Sequence, residues 1–183
     1  GDVYKRQNHL QGLLTDEEGE LGIDDVAKIV GCWNGLSHRG QEDNNDAMAP
    51  RAMQRAVAFA SNIKESKRVA SMFEKITEEL AATSEDGQNG SSLVCRAEHV
   101  DGGMNVAQRS AKLNWLETTP EDNEARILTN ARCLSEGVDV PSLDAVLFLN
   151  PRNSQVDVVQ SVGRVMRRAP VSYTHLTLPT TPY

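Results

Sequence analysis

The 183 residues carry 19 basic and 26 acidic side chains, a net charge of −7, and are 39% hydrophobic. That length supports one domain with a real hydrophobic core. The acidic balance argues against a strong free-standing nucleic-acid patch, and no apolar run approaches the roughly 18 residues of a membrane span, so no membrane partner is expected.

In chain order, both ends read as foreign. Residues 2–7, DVYKRQ, are encodable by GATGTGTATAAGAGACAG. The reverse complement, read one frame over, encodes Val-Ser-Tyr-Thr-His and opens a Leu codon, which are residues 171–176. Residues 1–7 and 171–183 are therefore expected to be a translated sequencing-library adaptor. The natural chain is expected to continue past both. The adaptor tails should find no partner in the fold and should leave an open edge beside the last strand.

Residues 8–52 read as a polar, acidic connector with a lead-in helix over 25–36, where Val26, Ile29, Val30, Trp33 and Leu36 recur at helical spacing. Trp33 reads as core rather than as a platform for stacked bases. Residues 38–50 have turn residues without periodicity and read as a surface loop. A single lobe is expected over residues 53–170. Residues 55–60, RAVAFA, form a short buried strand that runs into Ser61-Asn62 and a helix with Val69, Met72, Phe73, Ile76 and Leu80 on one face. No Gly-x-Gly follows Phe59, which counts against a dinucleotide-binding fold.

After a loop over 83–92, a strand over 93–100 ends at Asp101-Gly102-Gly103-Met104, and a helix places Val106, Leu113 and Leu116 inward. Two adjacent glycines at a strand end permit close approach of a ligand backbone, and they equally make an ordinary tight turn. An acidic loop over 117–124 leads to a strand over 127–129, then to the polar turn Thr129-Asn130-Ala131 and to SEGVDVP over residues 135–141. Residues 145–149 are unbroken apolar, as in a strand buried on both faces of a parallel sheet. Asn153 or Ser154 then caps a helix with Val158, Val159, Val162, Val165 and Met166 on its apolar face. Gly163 weakens that helix by about 1 kcal/mol relative to Ala. Arg164 and Arg167 share one side and repel. A helix that tolerates both costs presents that face to an anion.

Strand–helix alternation implies an α/β fold, a parallel sheet with helices on both faces and right-handed crossovers. Ligands in such sheets gather at the C-terminal ends of the strands, where Ser61, Gly102, Thr129 and the turn after Leu149 fall. Cys32, Cys95 and Cys133 are scattered, with no CxxC pair and no His at ligand spacing. They read as buried reduced thiols of a cytoplasmic protein, with no metal site.

Gln160-x-x-Gly163-Arg164-x-x-Arg167 resembles motif VI of superfamily 2 helicases. Thr129 to Asp139 with Pro141 resembles motif V, the strand–Ser61-Asn62–helix join resembles motif IV, and His99 to Arg109 resembles the block between them. The stretch is most similar to the helicase-type ATPases of type ISP restriction–modification enzymes. One departure is Ser161, where many relatives carry Arg after the Gln.

The resemblance implies a RecA-like helicase C-terminal lobe, truncated at its end. Its ATP, with Mg²⁺, would sit against a missing N-terminal RecA-like lobe of the same polypeptide. That lobe would supply the phosphate loop, since no G-x-x-x-x-G-K-[ST] occurs here. Arg164 and Arg167 are then arginine fingers on the γ-phosphate, with Gln160 positioning it. Gly137, Asp139 and Gly163 belong to the nucleotide side, and Ser61, Asn62, Gly102, Thr129 and Asn130 touch a DNA strand. The lobe alone is expected to be inactive. An RNA helicase, a remodelling ATPase or a non-catalytic α/β module are the alternatives.

Overall fold

The alternation Ala56-Val57-Ala58-Phe59 sets the architecture, because a strand sends successive side chains to opposite faces. A computed structural model of the chain describes residues 23–38, 53–83, 93–135 and 143–151, and the backbone of 175–177. The elements are α1 (Ile23–His38), β1 (Arg55–Phe59), α2 (Ile63–Thr83), β2 (Val94–His99), α3 (Val106–Glu117), β3 (Glu124–Asn130), a 3₁₀ turn (Cys133–Ser135), β4 (Ala145–Phe148) and β5 (His175–Thr177). The strands form one sheet in the order β2-β3-β1-β4-β5, and every pairing is parallel.

Small side chains on one face let two helices settle. Ala56, Ala58, Ala125, Ile127, Ala145 and Leu147 meet Ile29, Trp33 and Leu36 of α1 and Val69, Phe73 and Ile76 of α2. The other face is bulkier. There Val57, Phe59, Leu128, Val146 and Phe148 pack with Leu116 of α3 and Leu134 of the 3₁₀ turn. Phe59 and Phe148 stack across neighbouring strands with ring centroids 5.6 Å apart. Helices on both faces of a parallel sheet are therefore observed as expected.

The lead-in helix is an integral part of this body. Asp25 receives Arg68 of α2 at 2.7 Å, Lys28 reaches Glu65 at 2.8 Å, and Trp33 Nε1 donates to the Leu93 carbonyl at 2.7 Å. Trp33 is thus core, with its polar edge satisfied. The outermost strand β2 is tied down from above, as Cys95 N–H donates to Thr77 Oγ1 at 3.0 Å. Cys32 and Cys95 are buried and Cys133 is half-buried. Burial pushes the Cys32 and Cys95 thiols up to about 12.

Helix α3 begins with a reciprocal cap: Asn105 Oδ1 accepts Gln108 N–H at 2.8 Å, and Gln108 Oε1 accepts Asn105 N–H at 3.0 Å. Asn105→Ala should cost about 1 kcal/mol in urea unfolding. A midpoint identical to the parent would show that the cap carries no stability.

Two expectations are corrected. Val106 does not face inward; it is 71% exposed, because it is the first residue of α3 and overhangs the strand end, while Leu116 nearly three turns on is buried. The edge beside β4 is not open either, since His175–Thr177 pairs with Val146–Phe148. Backbone N–H and C=O groups at a sheet edge accept any extended segment, whatever its origin. The helix expected after Asn153 lies outside the described residues.

Candidate functional site

The parallel register brings four strand ends level. His99 pairs with Thr129, and Phe59 pairs with both Asn130 and Phe148. The ladder continues one residue further, with Val100 N–H on Thr129 O at 2.9 Å, Ala60 N–H on Asn130 O at 2.8 Å and Leu149 N–H on Phe59 O at 2.9 Å. The turns at Asp101–Gly103, Asn130, Ser61 and Asn150 therefore stand side by side along one rim, where ligands of open parallel sheets collect.

The first turn of α2 sits over the middle of this rim and serves both sides of it. Asn62 caps the helix, its Oδ1 accepting Glu65 N–H at 2.8 Å. Glu65, buried at 5% exposure, points toward β4. Its Oε1 accepts Lys28 Nζ at 2.8 Å. Its Oε2 accepts Ser61 N–H at 2.8 Å, the Ser61 hydroxyl at 2.5 Å and Asn150 Nδ2 at 2.7 Å. Lys28 closes the ring by donating to Asn150 Oδ1 at 2.9 Å. Burial alone would raise the Glu65 carboxyl, but the donors Lys28, Ser61 and Asn150 outweigh it and hold it at about 2.

Ser66, the next residue, points the other way. Its hydroxyl lies 2.6 Å from His99 Nδ1 and 2.9 Å from Thr129 Oγ1. His99 Nε2 is 2.6 Å from Asp101 Oδ2, and Asp101 Oδ1 accepts Gly103 N–H at 2.8 Å. The His99 hydrogen bond holds the Asp101 carboxyl below its usual range against some desolvation, helped by Gly103 N–H and by the positive charge of Lys67. Although Ser66, His99 and Asp101 follow the order of a hydrolytic triad, Ser66 is fully buried and meets no substrate. The chain instead fixes the Asp101–Gly103 turn to the end of β3. A Cβ at Gly103 would come within 3.0 Å of Asp101 Oδ1, whereas one at Gly102 meets nothing within 4 Å.

The site residues expected from the sequence divide accordingly. Ser61, Asn62 and Gly102 are exposed on the rim. Thr129 and Asn130 lie on the same rim, but both are 0% exposed. Thr129 Oγ1 bonds Ser66, and Asn130 uses its amide on Ala58 O at 3.2 Å and Leu134 N–H at 3.3 Å. The polar side-chain groups of these two are spent inside the lobe. Gly137, Asp139, Gln160, Gly163, Arg164 and Arg167 lie outside the described residues. Sequence reasoning missed Lys28, Glu65, Ser66 and Asn150. The Asn62-x-x-Glu65 spacing is a capping signature that would have drawn attention to Glu65. Among the described residues no group of His, Cys, Asp or Glu gathers as metal ligands would.

Comparison with known proteins agrees with this architecture. A solved structure titled as the ATP-dependent type ISP restriction–modification enzyme LlaBIII bound to DNA matches with a TM-score of 0.68 and 44% identity, covering 90% of this chain and 10% of that one. A probable helicase of African swine fever virus is 44% identical over 78 residues, 39% of this chain and 9% of the viral protein. Its counterpart in another isolate of the virus is 47% identical over 45 residues, 25% of this chain and 5% of that protein. The chain spans about a tenth or less of the length of these relatives. The helicase conserved C-terminal domain model matches residues 50–169, and the chain belongs to that family.

Proposed function

We propose that this chain is the C-terminal motor lobe of an ATP-dependent DNA helicase or translocase of the restriction–modification kind. The observation that carries the reading is the level rim of strand ends. It presents Ser61, Asn62 and Gly102 together on the exposed side of a helicase C-terminal fold. The likeness to an enzyme solved with DNA favours DNA as the polymer. Lys64 and Lys67 add positive charge on the exposed side of the first two turns of α2, beside that rim. Local charge of this kind suits phosphate in a chain whose overall balance is acidic.

ATP, with Mg²⁺, binds between this lobe and an N-terminal lobe that carries the phosphate loop. Arg164 and Arg167 meet the γ-phosphate, with Gln160 beside them, because forked guanidinium donors suit a phosphoryl group whose charge develops during transfer. Gly137, Asp139 and Gly163 line the same side. The described body serves as the rigid platform between that cleft and the DNA rim, and Thr129 and Asn130 act within it by holding the rim level.

The test is ATP turnover and DNA binding by the full-length protein. Duplex DNA should stimulate turnover and RNA should not. Lys67→Ala should weaken binding evenly across DNA sequences and reduce the slope of log affinity against log salt by about 1. Turnover indifferent to DNA would overturn the assignment. An unchanged salt slope would remove Lys67 from the interface.

A further inference from the structure

The Glu65 carboxylate joins two places that the functional reading keeps apart. On one side is Ser61, where a DNA phosphate arrives. On the other is Asn150, two residues beyond β4 on the path to Gln160, Arg164 and Arg167. We propose that Glu65 is a positioning residue that couples DNA engagement at Ser61 to the segment meeting ATP, by holding the Ser61 and Asn150 turns in one hydrogen-bonded unit. This deepens the proposed function and rests on it.

The geometry carries the inference in three steps. First, both donors of Ser61, its N–H and its hydroxyl, are already given to Glu65 Oε2. A phosphate that binds Ser61 must therefore take a donor from that carboxylate. Second, Oε2 is crowded. It accepts three hydrogen bonds, the two from Ser61 and one from Asn150 Nδ2, whereas a carboxylate oxygen offers about two lone-pair directions. The Ser61 hydroxyl is on an exposed residue and, unlike a backbone N–H, can rotate outward, giving up Oε2 at 2.5 Å and the Asn62 amide at 3.2 Å. Third, losing it strengthens the remaining claim of Glu65 on Asn150, whose amide is held at its other end by Lys28 at 2.9 Å. A DNA phosphate at Ser61 thus alters the hold on the Asn150 turn without touching it. Glu65 is enclosed and multiply bonded, so the exchange is local and does not open the core.

The Asp25–Arg68 ion pair ties α1 to α2 outside the ring of Lys28, Ser61, Glu65 and Asn150, and this allows coupling to be told apart from stability alone. In the full-length protein, ATP turnover is measured against duplex DNA concentration for the parent, Glu65→Gln, Asn150→Ala and Asp25→Ala, with a melting temperature for each. Glu65→Gln and Asn150→Ala should both lower the ratio of DNA-stimulated to DNA-free turnover by about tenfold, within the 5–150-fold range usual for coupled sites. The DNA concentration at half-stimulation should stay level or fall, because the anion facing the phosphate is lost or less firmly held. Asp25→Ala should lower the melting temperature yet keep the ratio, since Lys28, Ser61, Glu65 and Asn150 remain joined.

If Asn150→Ala folds and keeps the parental ratio, the coupling is refuted whatever Glu65→Gln does. A ratio that falls equally in Asp25→Ala also refutes it, as the loss then follows stability rather than the carboxylate. A parent protein that DNA does not stimulate at all would fail the functional reading itself, and this inference with it.

Discussion

Replacing Arg164 or Arg167 with alanine in the full-length protein is expected to lower ATP turnover by about 10³–10⁵ while sparing ATP affinity. The asymmetry follows from differential binding. In the proposed arrangement the partner lobe would hold ground-state phosphates, whereas the two guanidinia would meet charge that appears on the γ-phosphoryl group only as it transfers. Arg164→Lys should not rescue, because an ammonium is a point charge without the planar fork of donors. Arg168→Ala is the control, one residue off the three-residue spacing of Arg164 and Arg167, and should change turnover little. The measurement is steady-state ATPase at saturating DNA beside nucleotide titration of each variant. If Arg168→Ala proved as damaging as the other two, the effect would be general charge near the cleft and the residue assignment would be wrong.

The parts of the molecule legible in the sequence are those governed by local pattern. Apolar runs such as Ala145-Val146-Leu147-Phe148 announced doubly buried strands, and the spacing of Val69, Phe73 and Ile76 announced the buried face of α2. Ser61, Asn62 and Gly102 were also visible, since exposed turn residues at strand ends need no distant partner to be recognised.

What the sequence hid depends on partners far away in the chain. Thr129 and Asn130 look like any polar turn residues, yet their hydrogen bonds go to Ser66 and Ala58, 63 and 72 positions distant. Spacing alone does not say that a serine in the first turn of a helix will reach the end of another strand. The same holds for Lys28 and Asn150, separated by 122 positions and 2.9 Å apart. Val106 failed for another reason: periodicity assigns a residue to a helix face but does not register that the first turn of α3 extends past the sheet.

Acid should expose the weight of the buried carboxylate directly. Glu65 titrates at about 2 in the folded chain against an ordinary 4.5. A depressed carboxyl stabilises the fold fully above the unfolded value, and that contribution drains away as pH falls from about 4.5 to about 2. Urea unfolding of the chain at a series of pH values between 6 and 2 reads it. The parent should lose stability steeply below about pH 4.5, and Glu65→Gln should lack that component while starting from a lower plateau at pH 6. The amide keeps an acceptor for Asn150 or Ser61 but offers Lys28 no charge and nothing to titrate. Asp101 also sits below its usual range and keeps some acid sensitivity in the variant, so the comparison is between slopes. Parallel curves for the two proteins, displaced but equally steep, would mean that Lys28, Ser61 and Asn150 do not lower the titration of Glu65 in the fold.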